Sequence, residues 1–251
     1  MRNIKLIIEY DGANYHGWQA QAGRGLPTIQ ETIGRAVNSL AGEEAAIHSS
    51  GRTDRGVHAL GHVANFMTSI PIPPEAWAPA LNRILPPDIR VISSSEAAPG
   101  FHARYSATGK LYRYLILNRP VPSALYRNHT WHVARPLNIR SMRLAARYII
   151  GRHDFSSFRS AACNAKNPVR TVRKIEIDKI SGLVEISIEA DAFLMHMARN
   201  IVGTLVEVGL GRFRPGLVKD ILEARDRTRA GRTAPAGGLY LVKVFYPEGQ
   251  E

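Results

Sequence analysis

The run Gly51-Arg52-Thr53-Asp54-Arg55-Gly56-Val57-His58 suits the interior of neither a helix nor a strand. Two glycines bracket three charged side chains, and glycine admits the left-handed backbone that tight loops need. A β-forming run, His62 to Phe66, follows at once. The pattern predicts a loop beside a sheet, with Asp54 presented between Arg52 and Arg55. Neighbouring positive charge favours the ionised carboxylate that a nucleophile or a base must be. The same pattern also suits an ordinary turn residue or helix cap. The residues of the loop alone leave both readings open.

Charge narrows the kind of partner. The 251 residues carry 33 basic and 21 acidic side chains, a net charge of +12. The imbalance is one-sided: residues 1–100 hold 8 basic and 9 acidic side chains, the remainder 25 and 12. Residues 101–174 hold 15 basic side chains and a single acid, Asp154. Of the 33 basic residues, 26 are Arg, whose planar fork matches phosphate. A lopsided, Arg-dominated field is the footprint of a polyanion binder. The rest of the composition is that of a globular domain in a reducing compartment. The single cysteine, Cys163, excludes an internal disulfide framework. No apolar run approaches the roughly 18 residues of a membrane span. Met1 to Tyr10 is charged and too short for a signal peptide. The expectation is a cytoplasmic protein with no membrane partner.

Ile4 to Tyr10 predicts a strand that ends at the Asp11-Gly12 turn. Asp11 to Gln21 reads as a loop in which Tyr15 and Trp18 either stack on a base or fill a gap. Thr28-Ile29-Gln30-Glu31 fits a capping box, and Ile29, Ile33, Val37 and Leu40 form a helical core stripe. His58 and His62 have the spacing of helical metal ligands, but Gly61 opposes a helix and no Cys lies near. A metal site is not expected. Pro74 to Leu85 predicts a helix stopped by Pro86-Pro87, and Asp88 to Ser95 a strand.

Strand character begins again at Lys110. There Arg104, Tyr105, Lys110, Tyr112, Arg113 and Tyr114 interleave cations with rings, as a nucleic-acid surface or a half-buried strand would. Ile139 to Ile150 predicts a helix with Met142, Ala145, Ala146 and Ile149 inward. Arg170 to Ile180 and Leu183 to Ala190 predict a hairpin about Ser181-Gly182. Phe193 to Gly209 predicts the most apolar helix, with Arg199 among Met195, Val202 and Val206. An Arg on an apolar face needs a carboxylate. Asp54 is the expected partner, with Glu189 and Glu207 as structural alternatives. Pro215 to Ala224 predicts a short helix, Arg225 to Arg232 a basic loop, and Thr233 to Tyr246 a Pro/Gly turn and a strand.

The chain has no P-loop, dinucleotide glycine fingerprint, zinc spacing or nucleophile elbow. Its octapeptide at 51–58 instead closely resembles the GRTDxGVH signature of the TruA family of pseudouridine synthases, which act on the anticodon stem-loop of tRNA. Residues 101–118 (FHARYSATGKLYRYLILN) are similar to the family's second motif. Residues 153–158 (HDFSSF), 193–203 (FLMHMARNIVG) and 234–241 (APAGGLYL) resemble further family stretches. The likeness covers nearly the whole chain. Two positions depart from the family pattern: Arg55 replaces a small residue, and His102 replaces an Asp.

The resemblance implies an α+β pseudouridine synthase fold. Two α/β halves, residues 1–105 and 106–251, would share a mainly antiparallel sheet with a central basic cleft, in a homodimer. It implies isomerisation of uridine to pseudouridine at positions 38, 39 and 40 of tRNA. Asp54 would be the catalytic residue and Arg199 its partner. Tyr112 would stack on the uracil, and Gly238 and Leu239 would line its pocket, with Tyr240 a further contributor. Arg52 would contact phosphate or occupy the space of the extracted base. The reaction breaks N1–C1′ and makes C5–C1′, so no cofactor or metal is needed. Two other classes fit the composition. A non-catalytic RNA-binding module would use the same surface, and a two-carboxylate glycosidase would need a second acid near Asp54.

Overall fold

The computed structural model describes residues 1–20 and 25–250. Gln21, the last residue of the expected 11–21 loop, lies outside them. In chain order the strands and helices are β1 (Arg2–Tyr10), α1 (Ile29–Ala41), β2 (His48–Ser49), β3 (His58–Thr68), α2 (Trp77–Ile84) and β4 (Ile89–Ala97). There follow β5 (Gly109–Leu117), β6 (Trp131–His132), α3 (Ile139–Ala146), β7 (Gly151–Asp154), β8 (Val169–Ile180) and β9 (Leu183–Ala190). The last are α4 (Met197–Gly209), α5 (Leu217–Ala224) and β10 (Leu239–Phe245). Helices and mainly antiparallel strands make this an α+β chain. It divides into two compact units: Gly109–Leu239 form one, and Met1–Thr108 with the residues from Tyr240 onward form the other.

In the first unit β1 pairs antiparallel with β3 on one side and β4 on the other, and β2 adds to β3. From Tyr240 onward β10 joins β3 in parallel, Tyr240 opposite His58. One face is a conventional apolar core of Ile4, Leu6, Ile8, Phe66, Trp77 and Leu81. Alternate residues of β1 are buried too, so the other face is also covered. There Asn3 Nδ2 donates to the Phe101 carbonyl (2.9 Å), and Asn65 Nδ2 donates to Asn3 Oδ1 (2.9 Å). Asn65 Oδ1 in turn accepts from Ala103 N–H (2.9 Å), and the Tyr246 hydroxyl donates to the Ala103 carbonyl (2.7 Å). These buried polar groups are satisfied by one another, which is what makes their burial tolerable.

In the second unit β5, β9, β8 and β7 follow one another antiparallel, and β6 pairs with β5. The β8–β9 hairpin turns at Ser181 and Gly182, both at positive φ, the geometry that matches strand twist. Helix α3 stops at Ala146 rather than Ile150, yet Met142, Ala145, Ala146 and Ile149 are all buried as their spacing predicts.

The α1 cap is as the sequence predicts. Thr28 Oγ1 accepts from Glu31 N–H (3.3 Å), and Glu31 Oε2 accepts from Thr28 N–H (3.2 Å). Thr28→Ala should therefore cost about 1 kcal/mol. The measurement is urea denaturation, where the midpoint should fall with an unchanged m-value; Thr28→Ser should stay within a few tenths of a kcal/mol.

Candidate active site

The Asp54 loop has little regular structure of its own. Val57 N–H donates to the Asp54 carbonyl (3.1 Å), closing a turn with Gly56 at φ 77°. Arg55 occupies an exposed position in that turn, where side-chain size is unconstrained, so the departure from a small residue leaves the backbone as it is. Arg52 is exposed and Asp54 half-buried.

Placement comes from the segment that follows β1. The Trp18 N–H donates to the Thr53 carbonyl (3.1 Å). Gly17, at φ 88°, lies so close that a Cβ there would meet the Thr53 carbonyl oxygen at 2.5 Å and the Asp54 backbone at 3.1 Å. Beneath this contact, Tyr10 Oη is 2.8 Å from Thr53 Oγ1 and 3.5 Å from His62 Nδ1. The His62 ring stacks on Trp18 with centroids 3.7 Å apart and planes at 17°. Trp18 and His62 are fully buried and Tyr15 nearly so. Of the two readings of Tyr15 and Trp18, gap-filling is the correct one. His62 stands on a strand and packs against an indole.

Beside the loop, His58 Nδ1 lies 2.9 Å from Asp11 Oδ1, and the His58 ring stacks on Tyr240 (4.8 Å, 23°). Burial pushes the Tyr240 hydroxyl up to about 12, and the Asp11 carboxylate adds to the rise. Tyr240 therefore stays protonated at neutral pH.

The second unit holds the other expected site residues. Tyr112 faces Ile188 across β5 and β9, and its ring meets Phe193 edge-on at 4.8 Å. Tyr114 is fully buried and donates to the Pro235 carbonyl (2.7 Å). Burial raises its pKa, though Arg199 and Arg232 oppose the rise. Tyr114 is thus structural and not a stacking surface. A Cβ on Gly238 would meet the Tyr114 ring at 2.7 Å, so this position is closed to side chains. Leu239 is buried beside it.

Arg199 is half-buried near the start of α4. The helix begins at Met197 and not at Phe193, because His196 takes a left-handed conformation (φ 63°). Met195 therefore lies outside the helix, while Val202 and Val206 are buried as expected. Arg199 Nε donates to the Ala234 carbonyl (2.8 Å), and the Arg199 carbonyl accepts from Ala234 N–H (3.1 Å). Both alternative carboxylates have other partners: Glu207 faces Arg212 and Arg232, and Glu189 faces Arg173.

Sequence reading missed the support beside Arg199. Asn200, fully buried, donates to the Phe158 carbonyl (2.7 Å). Its Oδ1 accepts from Thr233 Oγ1 (2.7 Å) and Arg227 Nη2 (3.0 Å). The only signal in the sequence was an Asn inside an apolar helix.

At the second departure, His102 Nδ1 accepts from Arg104 N–H (3.1 Å) and Tyr105 N–H (3.4 Å). A ring nitrogen thus performs the acceptor role that a carboxylate fills in an Asx-type turn.

The backbone contact at Gly17 makes a direct prediction. Gly17→Ala should displace Thr53 and Asp54 and cost about 1–3 kcal/mol. Turnover should fall at a temperature where the variant remains folded, as a thermal melt combined with steady-state kinetics would show.

The comparisons with known proteins agree across nearly the whole chain. The sequence model of a family described as tRNA pseudouridine synthase matches residues 6–106 and 145–247. The chain is 53% identical over 246 residues to tRNA pseudouridine synthase A of Acetivibrio thermocellus, covering 98% of this chain and 100% of that protein. It is 48% identical over 246 residues to the proteins of the same name from Thermoanaerobacter sp. (strain X514) and Pelobacter propionicus, with the same coverage of both chains. The loop held by Gly17 and the four further motif stretches are therefore those of a family: the chain belongs to the tRNA pseudouridine synthases.

Proposed function

We propose that this chain converts uridine to pseudouridine at positions 38, 39 and 40 in the anticodon stem-loop of tRNA, with Asp54 starting the reaction. The observation that carries the proposal is the Asp54 loop itself. Its backbone is fixed by Trp18 and Gly17 and braced by Tyr10, while the carboxylate-bearing residue is left half-buried. Such an arrangement fixes a reactive group in place, as preorganised catalysis requires.

Asp54 acts on the glycosidic bond as nucleophile or base. The N1–C1′ bond breaks, the uracil turns, and a C5–C1′ bond forms. The proton lost from C5 is matched by one gained at N1, so no atom is gained or lost overall. Arg199 pairs with Asp54 and aims it. Its own direction is set by the Ala234 carbonyl. Tyr112 stacks on the uracil, and Gly238 and Leu239 bound its pocket. Arg52 contacts the tRNA phosphate or fills the space of the extracted base. Extracting the base costs a few kcal/mol, which cationic contacts offset. The protein works as a cytoplasmic homodimer. The single Cys163 and the lack, among the described residues, of a helix long and apolar enough to cross a membrane are consistent with that setting.

The test is the pseudouridine content of an unmodified tRNA transcript incubated with wild type or with Asp54→Asn, without added metal. Wild type should form pseudouridine at 38–40, and the variant should lose about 10³-fold or more in turnover while its Kd for tRNA changes less than about three-fold. Arg199→Ala should cost about 10²-fold in turnover. An Asp54→Asn variant with wild-type turnover would remove Asp54 from the chemistry. Tight binding with no pseudouridine from either protein would make the chain a binding module.

A further inference from the structure

Most rings of the first unit are buried, but one group is not. Tyr105 is 77% exposed, the most exposed tyrosine among the described residues. It does not stand alone. Its ring centroid is 4.4 Å from that of His102, which is 4.8 Å from that of His48. The Arg104 guanidinium lies 5.7 Å from the Tyr105 centroid. His48 is exposed and His102 half-buried, so three rings and a cation form a continuous patch facing solvent.

The patch is rigid. His102 Nδ1 accepts from the N–H groups of Arg104 and Tyr105. Ser106 closes the same turn twice: its N–H donates to the His102 carbonyl (2.9 Å), and its hydroxyl accepts from His102 N–H (3.1 Å). Phe101 and Ala103, on either side of His102, are pinned to the sheet by Asn3, Asn65 and Tyr246. A preorganised ring surface gives up little conformational entropy on binding. Partial burial, then the charges of His48 and Arg104, hold His102 below the usual histidine range, so its ring is neutral at pH 7. Among the described residues no carboxylate pairs with Arg104.

Rings tilted by 41° and 39° to one another, with a guanidinium over the outermost, match one ligand chemistry closely: a nucleobase on the exposed ring and its phosphate on the cation. The placement fits as well, because β2, which carries His48, leads directly into the loop that bears Asp54.

We propose that His48, His102 and Tyr105, with Arg104, form a stacking platform for an unpaired base of the tRNA substrate. The platform rests on the reading of this chain as a tRNA pseudouridine synthase, but not on any role of Asp54. It is a binding and positioning surface, and it touches no reacting atom.

The experiment is steady-state kinetics and direct tRNA binding for Tyr105→Ala, Tyr105→Phe and His102→Asp. One stacked base is worth about 1–3 kcal/mol, which corresponds to about five-fold to 150-fold in affinity. Tyr105→Ala should raise the KM for tRNA about ten-fold, with kcat within about two-fold and an unchanged unfolding midpoint. Tyr105→Phe, which keeps the ring, should restore KM to within about two-fold. His102→Asp keeps an acceptor for the two N–H groups but removes a ring and adds a negative charge; it should raise KM while the fold stays intact.

A wild-type KM for Tyr105→Ala overturns the platform and leaves the enzymatic reading standing. An equal loss for Ala and Phe overturns it as well, since the hydroxyl and not the ring would then matter. An unchanged KM with an altered oligomeric state assigns the patch to contact with a second copy. If wild type forms no pseudouridine but Tyr105→Ala still weakens tRNA binding, the patch binds RNA, but the enzymatic reading falls and with it a platform for a substrate base.

Discussion

A backbone hydrogen bond, from Trp18 N–H to the Thr53 carbonyl, ties the Asp54 loop to the segment that follows β1. Loops gain order only when something outside them supplies it, because each residue fixed costs about 1–2 kcal/mol of conformational entropy. Here the order comes from a second loop laid against the first. That approach requires a residue without a side chain at position 17 and a flat hydrophobic floor beneath it. The Trp18–His62 stack is that floor. Strand β1 ends at Tyr10, whose hydroxyl reaches Thr53, the residue immediately before Asp54. Strand, loop, floor and Asp54 are thus parts of one packing arrangement.

The second unit solves a similar problem with a different chemistry. Arg199 is directed by a carbonyl on the segment before β10, and that segment is held by a polar knot of Asn200, Arg227 and Thr233. Arg227 is partly buried, and burial lowers its pKa, so its hydrogen bonds offset a real desolvation cost. Removing one member of such a knot strands the others, so its members act as a set. The neighbouring acids are engaged elsewhere: Glu207 with Arg212 and Arg232, Glu189 with Arg173.

Local signals in the sequence were readable and tertiary ones were not. The capping box of Thr28 and Glu31 and the Ser181-Gly182 hairpin turn act within four residues, so spacing alone reveals them. The Asp54 loop was legible for the same reason, since glycines mark the backbone that it needs. The start of α4 is not legible, because nothing in Phe193 to His196 opposes a helix by propensity, yet His196 is left-handed. Trp18 and Tyr15 were ambiguous because a ring in a polar loop suits a base or a core equally well. Asn3 and Asn65 carried no signal, since their partnership spans 62 residues. The strands β2 and β6, two residues each, exist only through their neighbours.

The order of the strands has a consequence for how the protein is made. Strand β3 leaves the ribosome early, but its parallel partner from Tyr240 onward comes after the whole of the second unit. At ordinary elongation speeds of about 5–20 residues per second, roughly 9 to 36 seconds separate the two. Through that interval the edge of β3 at His58 and Ala59, next to the Asp54 loop, stands bare. Uncovered strand edges invite pairing with other chains. The nascent protein therefore carries an uncovered strand edge beside the Asp54 loop until its last residues are made, and a chaperone that covers that edge would act in this window.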